Sequence, residues 1–238
     1  MSTPGGPTEN TGWVVALPAE AHSIGMHGMH PGDCVRWRDG WLAVSGIGPH
    51  NAMRAAERLL ACGVARLANW GVAGALDATL AAGDVLIADR IRYTHDDPGF
   101  VTDTDASERL ADALSVSLRV HRGALWSASQ PLATPSEKRA LAERSGALAV
   151  DMEAAPVAAV AQRAKLPFVA VKAICDPAGR AVPAGIVRAL EGADEGWSLR
   201  MAAAIVFGGP GTWRAASALS RDYRRARRSL ATAAALAA

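Results

Sequence analysis

The reading of AVDMEAAPVAAVAQRAKLPFVAVKAICD, residues 149–176, decides the fold. Its apolar residues are spaced as strand, helix, strand: ALAVD (147–151), an amphipathic segment over 152–165, and PFVAVKAIC (167–175). Both strand-like runs end in acid. Asp151 and Glu153 flank Met152 after the first, and Asp176 follows the second.

The same alternation extends in both directions. WVVAL (13–17) reads as a first strand. CVRWR (34–38) and WLAVSG (41–46) flank Asp39-Gly40, a hairpin signal. Residues 50–62 read as a helix with Ala52, Ala55, Ala56, Leu59 and Leu60 on one face. RLANWGVAG (66–74) reads as a strand entering a glycine turn, and DVLIADRIRY (84–93) as a strand pair or one bent strand. Helices are expected over 107–118 and 135–145, the second capped by Thr134 or Ser136 with Pro135 in its first turn. Such alternation predicts an α/β fold, its central sheet covered on both faces.

The 238 residues, half of them hydrophobic, suffice for one sizeable domain. Residues 1–11 are polar and rich in Pro and Gly, and are expected to be a flexible end without a signal-peptide pattern. Residues 12–212 form the expected domain, and 213–238 a basic C-terminal helix. From Trp213 onward six arginines meet one acid, a net +5, while the rest of the chain sums to −3. MAAAIVFGGPG, from Met201, is too short and broken for a bilayer span. Three scattered cysteines show neither a metal spacing nor a disulfide framework, so a reducing cytoplasm is the expected setting.

In open α/β sheets function collects at strand exits. Glu20, Asp151, Glu153 and Asp176 all fall there. Each alone reads equally as a helix cap or first-turn acid. Together they suit cleavage of a glycosidic bond: a buried acid keeps a proton for the leaving group, a second carboxylate holds sugar hydroxyls, and a third orients water.

ALPAE (16–20), SGIG (45–48), NWGVAGALDATLAAGDVLIAD (69–89), VDMEA (150–154) and VKAICD (171–176) occur in an order that resembles the purine nucleoside phosphorylase / methylthioadenosine nucleosidase superfamily. The resemblance implies a three-layer α-β-α sandwich with a mixed central sheet. ALPAEA, ATPSEK before VDMEA, CDPAGRAVP (175–183) and the arginine-rich tail are most similar to the hopanoid-associated branch, which removes adenine from adenosylhopane. By that resemblance Asp176 is the acid at purine N7, Glu20 the carboxylate positioning water, Glu153 the ribose anchor and Met152 the residue beneath the sugar. Pro131 and Leu132, in the SASQPL loop (127–132), match the purine-edge region. Val72 and Gly74 stand in the glycine turn near the ribose.

That turn, Gly71-Val72-Ala73-Gly74, lacks a serine that many family members carry, and Trp70 stands near where some have a phosphate-binding arginine. Water is therefore the favoured nucleophile, although inorganic phosphate stays open as a co-substrate. Its expected donors are the amides around Gly46 and Gly48 with His50 or Arg54. No metal or organic cofactor is expected.

Smaller signals are set aside. GIGPHN (46–51) has Asn51 where a dinucleotide fingerprint needs its third glycine. His22, His27 and His30 lack partners completing a zinc spacing; Met26 and Met29 of that loop are expected to line a greasy entrance. The tail reads either as an amphipathic helix on anionic membrane or as a surface helix packed on its own domain. The expected partners are an adenine nucleoside, free or lipid-linked, and further copies of the chain as a homodimer or larger assembly, with no nucleic acid. The alternatives are a methylthioadenosine/adenosylhomocysteine nucleosidase and a non-catalytic nucleoside-binding module.

Overall fold

The computed structural model describes residues 10–96, 98–183, 185, 187 and 209–237, with side chains of the last helix described from Ala216. The strands are β1 (Thr11–Val15), β2 (Cys34–Trp37), β3 (Gly40–Val44), β4 (Arg66–Ala75), β5 (Val85–Arg92), β6 (Phe100–Val101), β7 (Val120–Ser127), β8 (Ala149–Asp151) and β9 (Phe168–Asp176). The helices are α1 (Pro18–Ser23), α2 (Pro49–Ala61), α3 (Thr104–Ser115), α4 (Pro135–Ser145), α5 (Ala154–Ala164) and α6 (Gly209–Leu236).

The strands make one mixed sheet. β1 lies parallel between β3 and β4, and β4 runs parallel to β9 over most of its length. β5, β7 and β8 run the other way. Pairings β4–β8, β8–β7, β7–β5, β5–β9 and β9–β4 close a ring of five strands within the sheet. Helices cover both faces. α2 and α5 pack on one through Ala52, Ala56, Leu59, Val157 and Val160. α3 and α6 pack on the other with Trp13, Leu42, Trp70 and Val171. Each fully buried aliphatic side chain here stabilises the fold by about 1.5–3 kcal/mol.

Local chemistry sets the element ends. Thr134 accepts the Glu137 amide while Glu137 reaches back to the Thr134 amide, closing the expected cap of α4. The Asp39-Gly40 hairpin forms as expected, with β2 and β3 antiparallel. Residues 84–93 take the second of their two expected forms, one strand (β5) with a register shift between Ala88 and Arg90. Two expectations need correction. The glycines after residue 70 do not make a turn: β4 continues through Gly71 and Gly74 to Ala75, with a register shift against β9 between Ala73 and Gly74. Of the expected loose N-terminus, residues 1–9 lie outside the described residues, but Thr11 is buried as the first residue of β1. Residues 201–208 likewise lie outside them. Among the described residues no helix is long and apolar enough to cross a membrane.

α6 packs on its own domain through Ala226, Leu230, Ala233 and Ala234. Arg221, Arg224, Arg225 and Arg228 are exposed. Asp222, buried on the inner side, pairs with Arg180 from the loop after β9, and Ser229 donates to the Gly83 carbonyl at 2.6 Å.

Candidate active site

Glu20, Asp151, Glu153 and Asp176 are all buried. Glu20 sits in the first turn of α1. Its Oε2 accepts the Ala16 and Leu17 amides, each at 2.9 Å, and its Oε1 accepts the Val72 amide at 2.9 Å. This approach is why residue 71 is glycine. A Cβ there would stand 2.7 Å from Oε1 and 3.0 Å from the carboxyl carbon. Gly71 therefore serves the carboxylate, not a turn.

Glu153, between β8 and α5, accepts the Gly48 amide at 2.9 Å and the Met152 amide at 3.2 Å. Asp151 accepts the Ala154 amide at 2.9 Å, so the capping role does apply to this acid. Its same oxygen, Oδ2, takes the Lys172 ammonium at 2.8 Å.

Lys172 was not singled out by sequence reasoning, although it is the one charge within an otherwise apolar strand. It is 2% exposed. Burial alone would lower its pKa, but the carboxylates of Asp151, Glu153 and Glu20 together hold it above the ordinary value. One ammonium thus answers three acids from two segments, α1 and the β8–α5 junction. Burial pushes the Glu20 carboxyl up, against the pull of Lys172 and of its three amides. Burial, then the Asp151 charge, pushes Glu153 up to about 7.

Asp176 ends β9. Its Oδ2 meets Lys138 Nζ at 2.5 Å, while its Oδ1 is buried without a hydrogen-bond partner among the described residues. Burial raises its pKa; Lys138 and Arg180 oppose that rise. Lys138 is the second residue that sequence reasoning missed. In the capping-box helix α4 it looks like a surface lysine, yet it is 1% exposed.

The other expected residues distribute unevenly. Met152 is half-buried beside Glu153. Val72 gives its amide to Glu20 and packs its side chain into the core. Gly74 lies against the Asp176 carboxylate, 3.5 Å from where a Cβ would stand. Pro131 and Leu132 are half-buried, Leu132 packing with Leu76, Trp126 and Val150. Their loop is joined to the loop after Asp176, where the Val182 amide donates to the Ala133 carbonyl at 2.8 Å.

The expected phosphate donors are largely committed elsewhere. The Gly46 amide donates to the Ala16 carbonyl and the Gly48 amide to Glu153. His50 is exposed. Arg54 lines a neighbouring cavity of about 550 Å³ with Leu17, Ile47, Asn51 and Arg58. The histidine loop differs in part: Met29 is buried in the core, whereas Met26 packs against it half-buried.

The sequence model of the phosphorylase superfamily matches residues 38–206. The chain belongs to the phosphorylase superfamily. Its members are enzymes of N-glycosidic bond cleavage, and so is this one. It is 30% identical over 159 residues to the 5′-methylthioadenosine/S-adenosylhomocysteine nucleosidase of Bacillus cereus strain B4264, covering 58% of this chain and 68% of that protein. Among solved structures it superposes on the nucleosidase of that name from Neisseria meningitidis in complex with methylthio-immucillin-A. The TM-score is 0.66 at 19% identity, covering 94% of this chain and 98% of that one. It also superposes on futalosine hydrolase of Helicobacter pylori with a TM-score of 0.64 at 19% identity, covering 94% and 97%. These similarities place the mixed-sheet sandwich within the superfamily's fold.

Proposed function

We propose that the chain releases adenine from an adenine nucleoside by hydrolysis, with adenosylhopane the preferred substrate. The observation that carries this reading is that three buried acids from separate segments border one strand: Glu20, which shares Lys172 with Glu153, lies against Gly71 of β4, and Asp176 lies against Gly74 of β4. As the C1′–N9 bond opens, Asp176 protonates the purine at N7 so that the base leaves neutral. Glu153 accepts hydrogen bonds from ribose hydroxyls, which strengthen as the sugar becomes oxocarbenium-like. Glu20, held by three amides, orients the attacking water and takes its proton. Met152 packs under the sugar, and the Pro131–Leu132 loop borders the purine.

Water is favoured over phosphate because the Gly46 and Gly48 amides are already bonded. Negative charge on Glu20 also repels a phosphate dianion. The hopanoid preference rests on the ATPSEK and CDPAGRAVP segments and the arginine-rich helix. Two of these bear on the site: Lys138 of ATPSEK meets Asp176, and Arg180 of CDPAGRAVP joins Asp222 of α6. The exposed arginines of α6 would bring the cytoplasmic enzyme to an anionic membrane holding such a substrate, and it works as a homodimer or larger assembly.

A second reading, methylthioadenosine/adenosylhomocysteine nucleosidase, is favoured by the Bacillus cereus similarity and by the polar edge of the cavity beside Ile47. One experiment separates the readings. The protein is incubated with adenosylhopane or 5′-methylthioadenosine, with and without phosphate, and the sugar product is identified by mass spectrometry. The expected result is free sugar from adenosylhopane regardless of phosphate. A sugar 1-phosphate overturns hydrolysis; turnover of methylthioadenosine alone overturns the hopanoid preference. Pelleting with phosphatidylglycerol vesicles tests the membrane contact, which fails if loss of 213–238 leaves lipid binding unchanged.

A further inference from the structure

The Lys138–Asp176 pair is built more closely than a surface ion pair needs. Lys138 Nζ has three oxygen partners: Asp176 Oδ2 at 2.5 Å, the Arg180 carbonyl at 3.0 Å and the Pro177 carbonyl at 3.2 Å. These match the three donors of an ammonium, so its position is determined on all sides. Among the described residues the carboxylate is held by one oxygen only, and Oδ1 is buried without a hydrogen-bond partner. A buried, unpaired carboxylate oxygen costs about 1–3 kcal/mol; Asp151 Oδ1 is unpaired too, but the Asp176 side chain is 11% exposed where that of Asp151 is 0%, so of the two it is Asp176 that a ligand can reach.

We infer that Lys138 is a positioning residue for the leaving-group acid: it holds Oδ2 so that Oδ1 alone is aimed at the base, and it neutralises the carboxylate that proton donation leaves behind. This rests on the reading of Asp176 as the acid. In the reactive form Oδ1 carries the proton and Oδ2 faces the ammonium. The C1′–N9 electron pair passes to the purine, the proton on Oδ1 passes to N7, and the new carboxylate is left paired with Lys138. Solvent reprotonates Oδ1 after the base departs. Without Lys138 the carboxylate product is a buried, poorly compensated charge, so proton donation is less favourable. Among the described residues, the charged and titratable groups facing Asp176 are Lys138 from α4, Arg180 from the following loop and Cys175 on the same strand. Of these Lys138 alone bonds the carboxylate directly.

The test is the pH profile of kcat/KM for adenine release by wild type, K138M, K138R and D176N. K138M replaces the lysine with an unbranched apolar side chain of similar length. It should lower kcat by about tenfold or more, and should move the alkaline limb upward by about one pH unit or more, because a lost cation raises the acid's pKa. K138R, which keeps the charge, should retain the wild-type limb. K138M in the D176N background should cause little further loss. A K138M profile with lower activity but an unmoved limb overturns the inference and leaves a structural role. Near-wild-type D176N overturns the reading of Asp176 itself, which is a distinguishable failure. If K138M does not fold, the K138R limb decides: a limb displaced by about one pH unit despite the retained charge overturns the inference, and an unmoved one sustains it.

Discussion

Lys172 and Lys138 are both almost completely buried, and both pair with an aspartate at a strand end. Their surroundings differ. Lys172 stands in mid-strand with Asp151, Glu153 and Glu20 around it. Its aspartate also accepts a helix amide. Lys138 comes from a helix, serves one carboxylate and fills its other valences with loop carbonyls. The first arrangement is a hub that keeps three acids tolerable in one low-dielectric space. The second serves a single acid; in both pairs the aspartate is held through Oδ2, and Oδ1 has no hydrogen-bond partner among the described residues. Burial of a lysine therefore does not by itself assign a role; the number and kind of its partners do.

The comparison can be broken most forcefully at the hub. K172M removes the only described cation shared by three buried carboxylates, and should cost about 3–5 kcal/mol of stability. Thermal melting reads this directly, and an unchanged melting temperature would remove the hub role. On the other side of the comparison, D176N should stay folded with a lowered melt, because the buried Lys138 ammonium loses its counter-charge, and should release adenine about 10²-fold more slowly or worse. Near-wild-type turnover removes Asp176 from the chemistry.

A smaller effect is expected at Gly71. G71A places a methyl group against Glu20, which cannot move without giving up amide bonds from Ala16, Leu17 and Val72. Turnover should fall by about 10–10²-fold, the scale of a displaced catalytic group, with KM less affected. A KM change alone would mean that Glu20 binds substrate without helping the reaction.

The mildest effect is a pH slope. Glu153 is held at about 7 in the folded chain against an ordinary 4.5. The folded chain therefore binds that proton more tightly than the unfolded one. Its contribution to stability is full below about pH 4.5 and is lost as pH rises through 7. Glu20 and Asp176 are shifted in the same direction. Melting temperature should decline from pH 4.5 to 7.5, and E153Q should flatten the decline. An equal slope in E153Q would place the titration elsewhere.

Most helices and strands were legible from apolar spacing, because an amphipathic face is a local property. The hairpin at Asp39-Gly40 and the cap at Thr134 were legible for the same reason. The run from Arg66 to Gly74 was misjudged in one respect. Glycine commonly marks a turn, but here it marks a close approach by Glu20, a residue about fifty positions away. The four acids could be named because carboxylates at strand exits are unusual as a set. Their lysines could not, since Lys138 has the local surroundings of a surface residue and Lys172 those of a stray charge in a strand.

By itself the sequence determined the α/β alternation, the resemblance to the superfamily and the identity of the acids. Their arrangement was decided by tertiary structure. Asp151 and Asp176 were expected at the exits of two successive strands, with no relative direction assigned. In the fold β8 runs opposite to β9 and each pairs separately with β4. The closure of β4, β8, β7, β5 and β9 on one another sets β8 and β9 beside β4, so that Lys172 meets Asp151, Glu153 and Glu20 while Lys138 meets Asp176. Spacing along a chain records which face a residue takes within its own element. Which charge will neutralise it depends on contacts across the closed sheet, and those contacts set whether a buried carboxylate serves as a cap, an anchor or an acid.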